Sequence, residues 1–152
     1  MADQIPDLTP LRYKVSISGL ATDAFDRFAL GIADWWPRHH KVGQSAIADL
    51  KIVPRVGGTI GEIGEDGVET VWGLLTAFDR PARLAFRWTC DRFWRDSEVD
   101  ISFVQVTPST VRVRLEHGNL KAIAAHIADL HASFGSPTGW PDILRTFAAT
   151  AR

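Results

Sequence analysis

The chain has 152 residues, 45% of them hydrophobic and 23% charged, with a formal net charge of -1. That length suits one domain, able to bury roughly 68–70% of the surface its unfolded form exposes, so neither metal nor disulfide is needed to fold it. Its basic residues form no stripe, which argues against nucleic acid as partner; Cys90 is the only cysteine, so no intrachain disulfide can form. No stretch approaches 18 apolar residues and the N-terminus has no apolar signal core, so neither a membrane span nor a Sec signal is expected. A lone cysteine suits a reducing compartment, and a cytoplasmic location is the expectation.

Residues 1–10 carry two prolines and no periodicity, and read as a mobile arm ahead of a single domain over 11–152. From Arg12 to Ser18, Tyr13, Val15 and Ile17 alternate with Arg12, Lys14 and Ser16, the pattern of a half-buried strand. Gly19 breaks it. Thr22 is the expected N-cap of a helix whose Ala24, Phe25, Phe28, Ala29 and Ile32 recur at helical spacing. That helix pauses at Gly31, resumes to Trp36 and stops at Pro37, because a residue before proline avoids the α region.

A run of strands follows: Ala46 to Val53, Thr59 to Ile63, and Val68 to Phe78, with Glu65-Asp66-Gly67 as a hairpin turn and Gly73 as a bulge or close-approach point. Arg83 to Thr89 puts Leu84, Phe86 and Trp88 on one face, and Trp72 is expected to share its face with Leu74 and Phe78. Cys90 to Asp96 reads as a loop. Ser97 to Val106 and Thr110 to His117 form a last hairpin, with Val111, Val113 and Leu115 inward together with His117. Leu120 to Phe134 has a helical pattern, Gly135 to Gly139 is a linker, and Trp140, Ile143, Leu144 and Phe147 mark a final amphipathic helix. One strand, a helix pair, about six strands in succession and a C-terminal helical cover make an α+β protein with a meandering antiparallel sheet.

These pieces together resemble the helix-grip fold of the START/Bet v 1-like (SRPBCC) superfamily, in the branch related to the activator of Hsp90 ATPase. The resemblance rests on Ala24-Phe25, Trp35-Trp36-Pro37, Pro54-Arg55-Val56-Gly57-Gly58, Val71-Trp72-Gly73, Arg80-Pro81-Ala82-Arg83-Leu84, Arg114-Leu115-Glu116-His117, and Gly139-Trp140 with Ile143-Leu144. It spans about Leu11 to the end of the chain. It implies a curved antiparallel sheet of six or seven strands wrapped on a long C-terminal helix, two short helices after the first strand, and a cavity between sheet and helix. Relatives use that cavity for lipids, plant hormones, aromatic polyketides and other apolar molecules.

The cavity candidates are Trp35, Trp36, His40, Trp72, Trp88, His117, Trp140 and Leu144. Each tryptophan is equally readable as core, because a large apolar plate with one N–H suits a dry interior as well as a ligand wall. Trp35 and Trp36, adjacent on a helical turn, can split those roles. His39-His40 lacks further ligands at metal spacing, so no metal is expected, and solvent exposure or a polar pocket lip are its readings. His117 is either a satisfied structural histidine or a group that orients a ligand or acts as a base. Phe93 and Trp94, in a polar hairpin loop, are a lid, a partner surface, or residues tucked back on the fold.

The favoured function is non-catalytic binding of a small hydrophobic or aromatic molecule, with no cofactor. Two alternatives stand beside it: a cyclase- or hydrolase-type enzyme using His117 or His40 in the same pocket, and a protein-interaction module with a chaperone partner. Exposed strand edges leave a homodimer open.

Overall fold

The computed structural model of the protein describes residues 7–90 and 94–151. Its elements are β1 (Leu11–Ser18), α1 (Ala21–Ala29), α2 (Ile32–Trp35), β2 (Ile47–Ile52), β3 (Thr59–Gly64), β4 (Glu69–Asp79), β5 (Arg83–Trp88), β6 (Glu98–Thr107), β7 (Thr110–Gly118), a 3-10 turn (Leu120–His126), α3 (Ile127–Ala132) and α4 (Trp140–Ala148). The strands form one antiparallel sheet in the order β1-β7-β6-β5-β4-β3-β2. β2 to β7 meander, and β1 closes back on β7, Tyr13 opposite Leu115 and Val15 opposite Val113. The expected α+β, helix-grip architecture is the one observed, with a curled seven-stranded sheet. Most of the expected arm lies outside the described residues.

The helix pair after β1 forms where its apolar periodicity lies, but its start differs from expectation. Leu20, not Thr22, precedes the first helical residue, and no side chain of its own caps it. Gln105 of β6 does so instead: its Oε1 accepts from the Ala21 N–H at 2.8 Å, and its Nε2 donates to the Gly19 carbonyl at 3.0 Å. A long-range cap satisfies one of the helix's orphan amide donors, the task a local threonine would perform further along. Trp36, at φ -57 and ψ 130, has already left the helical region ahead of Pro37.

β4 carries two register shifts that alternation alone does not reveal. Between Ile60 and Gly61 of β3 the partner jumps from Gly73 to Val71, leaving Trp72 as the extra residue. A second shift skips Thr76 between the Leu75–Phe86 and Ala77–Ala85 pairs. An extra residue reverses the facing of everything beyond it. Leu75 therefore takes the buried position expected of Leu74, which lies opposite Arg87. Gly73 is required where it stands, since a Cβ there would lie 2.1 Å from the Arg87 carbonyl oxygen.

The concave face is filled rather than hollow over most of its length. Phe25 and Phe28 of α1, Phe103 of β6, and Ile143 and Phe147 of α4 are all buried. Phe25 meets Phe103 edge-on at 5.3 Å, and Phe28 meets Phe147 at 5.0 Å. Each such side chain contributes about 1.5–3 kcal/mol relative to exposure. The cover over this face is segmented. Instead of one helix, residues 120–134 form a 3-10 turn, kinked at Ile123, followed by α3, and α4 then packs beside β1. Gly139 makes the return between α3 and α4, where a Cβ would lie 2.3 Å from the Ser133 carbonyl oxygen. The buried residues Leu120, Ile123, Leu130 and Phe134 keep the apolar stripe despite the breaks.

Candidate functional site

The filled core opens at one end. Trp36, Trp72, Trp88, Trp94 and Phe134 wall a hollow of about 200 Å³, and His39, His40, Ser133, Ser136 and Thr138 give it a polar rim. The rings touch in series: Trp35 to Trp36 at 5.7 Å, Trp36 to Trp72 at 5.1 Å, Trp72 to Trp88 at 6.0 Å, and Trp88 to Trp94 at 5.8 Å. Such centroid distances are those of favourable tilted and edge-on ring packing.

Most of the indole N–H groups are assigned. Trp35 Nε1 donates to the Arg27 and Phe28 carbonyls, which holds it in the core. Trp36 Nε1 donates to the His40 carbonyl at 2.8 Å, which fixes the turn after Pro37. Trp72 Nε1 donates to Glu62 Oε1 at 2.9 Å, and that same oxygen accepts from the Val42 and Gly43 amides. Glu62 is 1% exposed. Its carboxylate ties the β3 strand, the bulged Trp72 and the loop before β2 into one unit. Trp88 differs: its Nε1 is buried and finds no acceptor among the described residues. An unmet donor in an aromatic wall costs about 1–3 kcal/mol unless something supplies an acceptor.

His117 is fully buried at the end of β7. Trp140 Nε1 donates to its Nδ1 at 3.0 Å. Indole nitrogen is a donor only, so Nδ1 carries the lone pair and Nε2 the proton. Nε2 then donates to Ser97 Oγ at 2.8 Å, and Ser97 passes its own proton towards the Trp94 carbonyl. This relay joins α4, β7 and the β5–β6 hairpin. Both ring nitrogens are engaged, and burial pushes the imidazole pKa down to about 3. His117 is therefore neutral and has no free lone pair with which to take a proton.

His39 and His40 follow Pro37 in a turn closed by the His40 N–H on the Pro37 carbonyl. Asp142, in the first turn of α4, comes up against both: its Oδ2 is 3.4 Å from His39 Nε2 and 3.6 Å from His40 Nε2. Arg145 Nη2 lies 3.5 Å from the other oxygen, Oδ1. His39 is exposed, whereas His40 is largely buried and its Nε2 has no partner within hydrogen-bond distance among the described residues. Burial lowers the His40 pKa, as does the neighbouring His39, while Asp142 and the Thr138 backbone oppose that shift.

Among the sequence candidates, Trp36, His40, Trp72, Trp88 and Trp94 thus come together around the hollow. Trp35 and Leu144 lie in the core, and His117 and Trp140 form the buried relay behind the wall. Trp94 packs back on Trp88 and Phe134, at 5.8 and 5.3 Å. Phe93 lies outside the described residues. Sequence reading missed Glu62, Ser97, Phe134 and Asp142. Glu62 had a signal, since strand alternation places it on the face of Ile60; the others are joined to the site only by tertiary folding.

No family model and no curated protein matches the chain. Solved structures do. An anthrahydroquino-gamma-pyrone synthase, Txn09, complexed with SUM is 31% identical over 98% of this chain and 99% of its own, with a TM-score of 0.63. The self-sacrificing resistance protein CalC from Micromonospora echinospora is 26% identical over 95% of this chain and 94% of its own, with a TM-score of 0.71. The Aha1 dimer from Colwellia psychrerythraea shares the fold at 14% identity and a TM-score of 0.62, over 94% of this chain and 96% of its own. With near-complete coverage at 31% identity and a curled antiparallel sheet gripping C-terminal helices, the chain belongs to the START/Bet v 1-like (SRPBCC) superfamily and shares the fold of its Aha1-like members.

Proposed function

We propose that the protein binds a small aromatic molecule carrying an acceptor oxygen in the hollow walled by Trp36, Trp72, Trp88 and Trp94. The buried Trp88 N–H, with no acceptor among the described residues, carries this reading. An aromatic wall holding one unmet donor suits a planar ring bearing a carbonyl or phenol oxygen. The size sets the scale: about 200 Å³ exceeds the ~150 Å³ cavity that accepts benzene and falls below the roughly 300–1,000 Å³ of sites for larger ligands. One or two fused rings fit without rearrangement. The likeness to Txn09, named as a synthase and solved in complex with SUM, supports a ligand-handling role over a structural one.

Calorimetry and native mass spectrometry against a panel of quinones, aryl ketones and matched hydrocarbons test this. Oxygenated members bind, and Trp88→Phe, which keeps an aromatic ring but gives up the pyrrole half and its donor, weakens them about tenfold more than it weakens the matched hydrocarbons, the difference expected when one hydrogen bond of about 1–1.5 kcal/mol is removed. Equal affinity of wild type and variant for the oxygenated compounds overturns the reading.

The 31% identity to a protein named as a synthase favours one second reading, an enzyme of cyclase or hydrolase type working in the same hollow. The acid–base role then falls to His40, because both nitrogens of His117 are engaged. Turnover of a bound polycyclic ketone, followed by mass spectrometry and lost in His40→Ala, distinguishes enzyme from binder. A chaperone partner draws only on a likeness of fold. A homodimer would use the end strands β1 or β2, and sedimentation of the purified chain reads it directly.

A further inference from the structure

The two histidines after Pro37 and the first turn of α4 converge on one point at the rim of the hollow. We propose that His39, His40 and Asp142 form a binding site for a divalent transition-metal ion of the zinc class, with a fourth position open towards the aromatic hollow.

Geometry carries the proposal. Ligand atoms about 2.1 Å from a tetrahedral ion stand about 3.4 Å from one another, whereas neighbouring ligands of an octahedral ion stand about 3.0 Å apart. Asp142 Oδ2 is 3.4 Å from His39 Nε2 and 3.6 Å from His40 Nε2, the tetrahedral spacing. The three ligand atoms all lie within 4.8 Å of one another. Two imidazoles and one carboxylate are a donor set that zinc accepts, leaving one coordination position free.

The donors are held before any ion arrives. Trp36 fixes the His40 carbonyl, and Trp140, two residues before Asp142, is locked by His117 and stacked on Phe134 at 4.5 Å. Arg145 is placed at Oδ1, which leaves Oδ2 to the histidines. The neighbouring Lys41 is turned away, donating to the Gly43 and Gln44 carbonyls. His40 Nε2, buried and with no hydrogen-bond partner among the described residues, is the second sign. A bound ion would give that nitrogen its partner.

An ion there stands where His39 and His40 border the hollow beside Trp36 and Trp88. Its open position faces a ligand oxygen or a water. The site stands on its own donors and does not depend on the identity of the hollow's occupant.

The test uses the full chain, free of any histidine tag and stripped with chelator, titrated with Zn²⁺ against a competing chromophoric chelator and, separately, with Co²⁺. One ion per chain is expected, with the strong visible bands of four-coordinate Co²⁺ and a rise in melting temperature on adding Zn²⁺. His40→Ala and Asp142→Asn each weaken binding at least about tenfold, the minimum for loss of a ligand. His39→Gln, at an exposed imidazole whose replacement leaves the fold intact, does the same and covers the case in which a buried variant fails to fold. His131→Gln, an exposed histidine on α3, leaves the affinity unchanged. No stoichiometric binding by the wild type, or wild-type affinity in His39→Gln and Asp142→Asn, overturns the assignment, as does a Co²⁺ spectrum of six-coordinate type.

Discussion

Replacing His117 with glutamine should remove one defined share of the protein's sensitivity to mild acid. In the fold, burial keeps this imidazole neutral, and its pKa falls from the ordinary 6.5 to about 3, while the Trp140 N–H occupies the Nδ1 lone pair that would take the proton. The folded state then binds fewer protons than the unfolded chain at every pH between those values. Stability is complete above about pH 6.5 and is lost as pH falls towards 3. A tenfold change in proton affinity is worth about 1.36 kcal/mol, so lowering the pH from about 7.5 to about 5 removes about 2 kcal/mol from the wild type through this residue alone. Glutamine offers one acceptor for Trp140 and one donor for Ser97 but does not titrate. His117→Gln costs about 1–3 kcal/mol at neutral pH through poorer geometry, and its stability falls about 2 kcal/mol less than the wild type over that interval. Urea unfolding at the two pH values gives both numbers, and carboxylates common to both proteins cancel in the comparison. Should the variant fail to fold, the imidazole carbon resonances of the wild type serve instead. A variant that loses as much stability as the wild type, or a His117 that titrates near 6.5 in the folded protein, refutes the account of the relay.

Two further outcomes follow from the strand geometry, beside the Trp88→Phe and metal-titration results above. Gly73→Ala drives a Cβ against the Arg87 carbonyl oxygen and should destabilise by about 3 kcal/mol, the upper end for overpacking, measured by chemical denaturation. Glu62→Gln preserves shape but removes the charge from three hydrogen bonds to Trp72, Val42 and Gly43, and should cost about 1.5–3 kcal/mol with a changed near-UV circular dichroism spectrum. A stability within about 0.5 kcal/mol of wild type would remove Glu62 from its anchoring role.

The strands were legible because burial follows alternation: Val111, Val113 and Leu115 are buried, as their spacing with Arg112 and Arg114 implies. The helix pair was legible from its apolar period and from Gly31 and Pro37. What escaped has physical causes. A one-residue shift leaves no mark in composition, so Leu74 and Leu75 exchanged places across the bulge at Trp72. The apolar period of residues 120–134 survives in a kinked 3-10 turn and α3, which bury the same stripe as a helix would. Thr22 is a good local cap, yet Gln105 reaches Ala21 from a strand far along the chain. The meeting of Asp142 with His39 and His40 is likewise a product of tertiary folding.

The tryptophans form one connected network. Trp35, Trp36, Trp72, Trp88 and Trp94 touch in series, and Trp140 joins at Trp36, with ring centres 6.4 Å apart. At such separations an excited indole hands its energy to the next faster than it emits, so the six chromophores share their excitation. Light absorbed anywhere in the core is sampled at the hollow. A quinone seated against Trp88 therefore darkens nearly the whole emission of the protein, whereas a molecule adhering elsewhere on the surface dims it little. The depth of quenching at saturation reports where a ligand has bound.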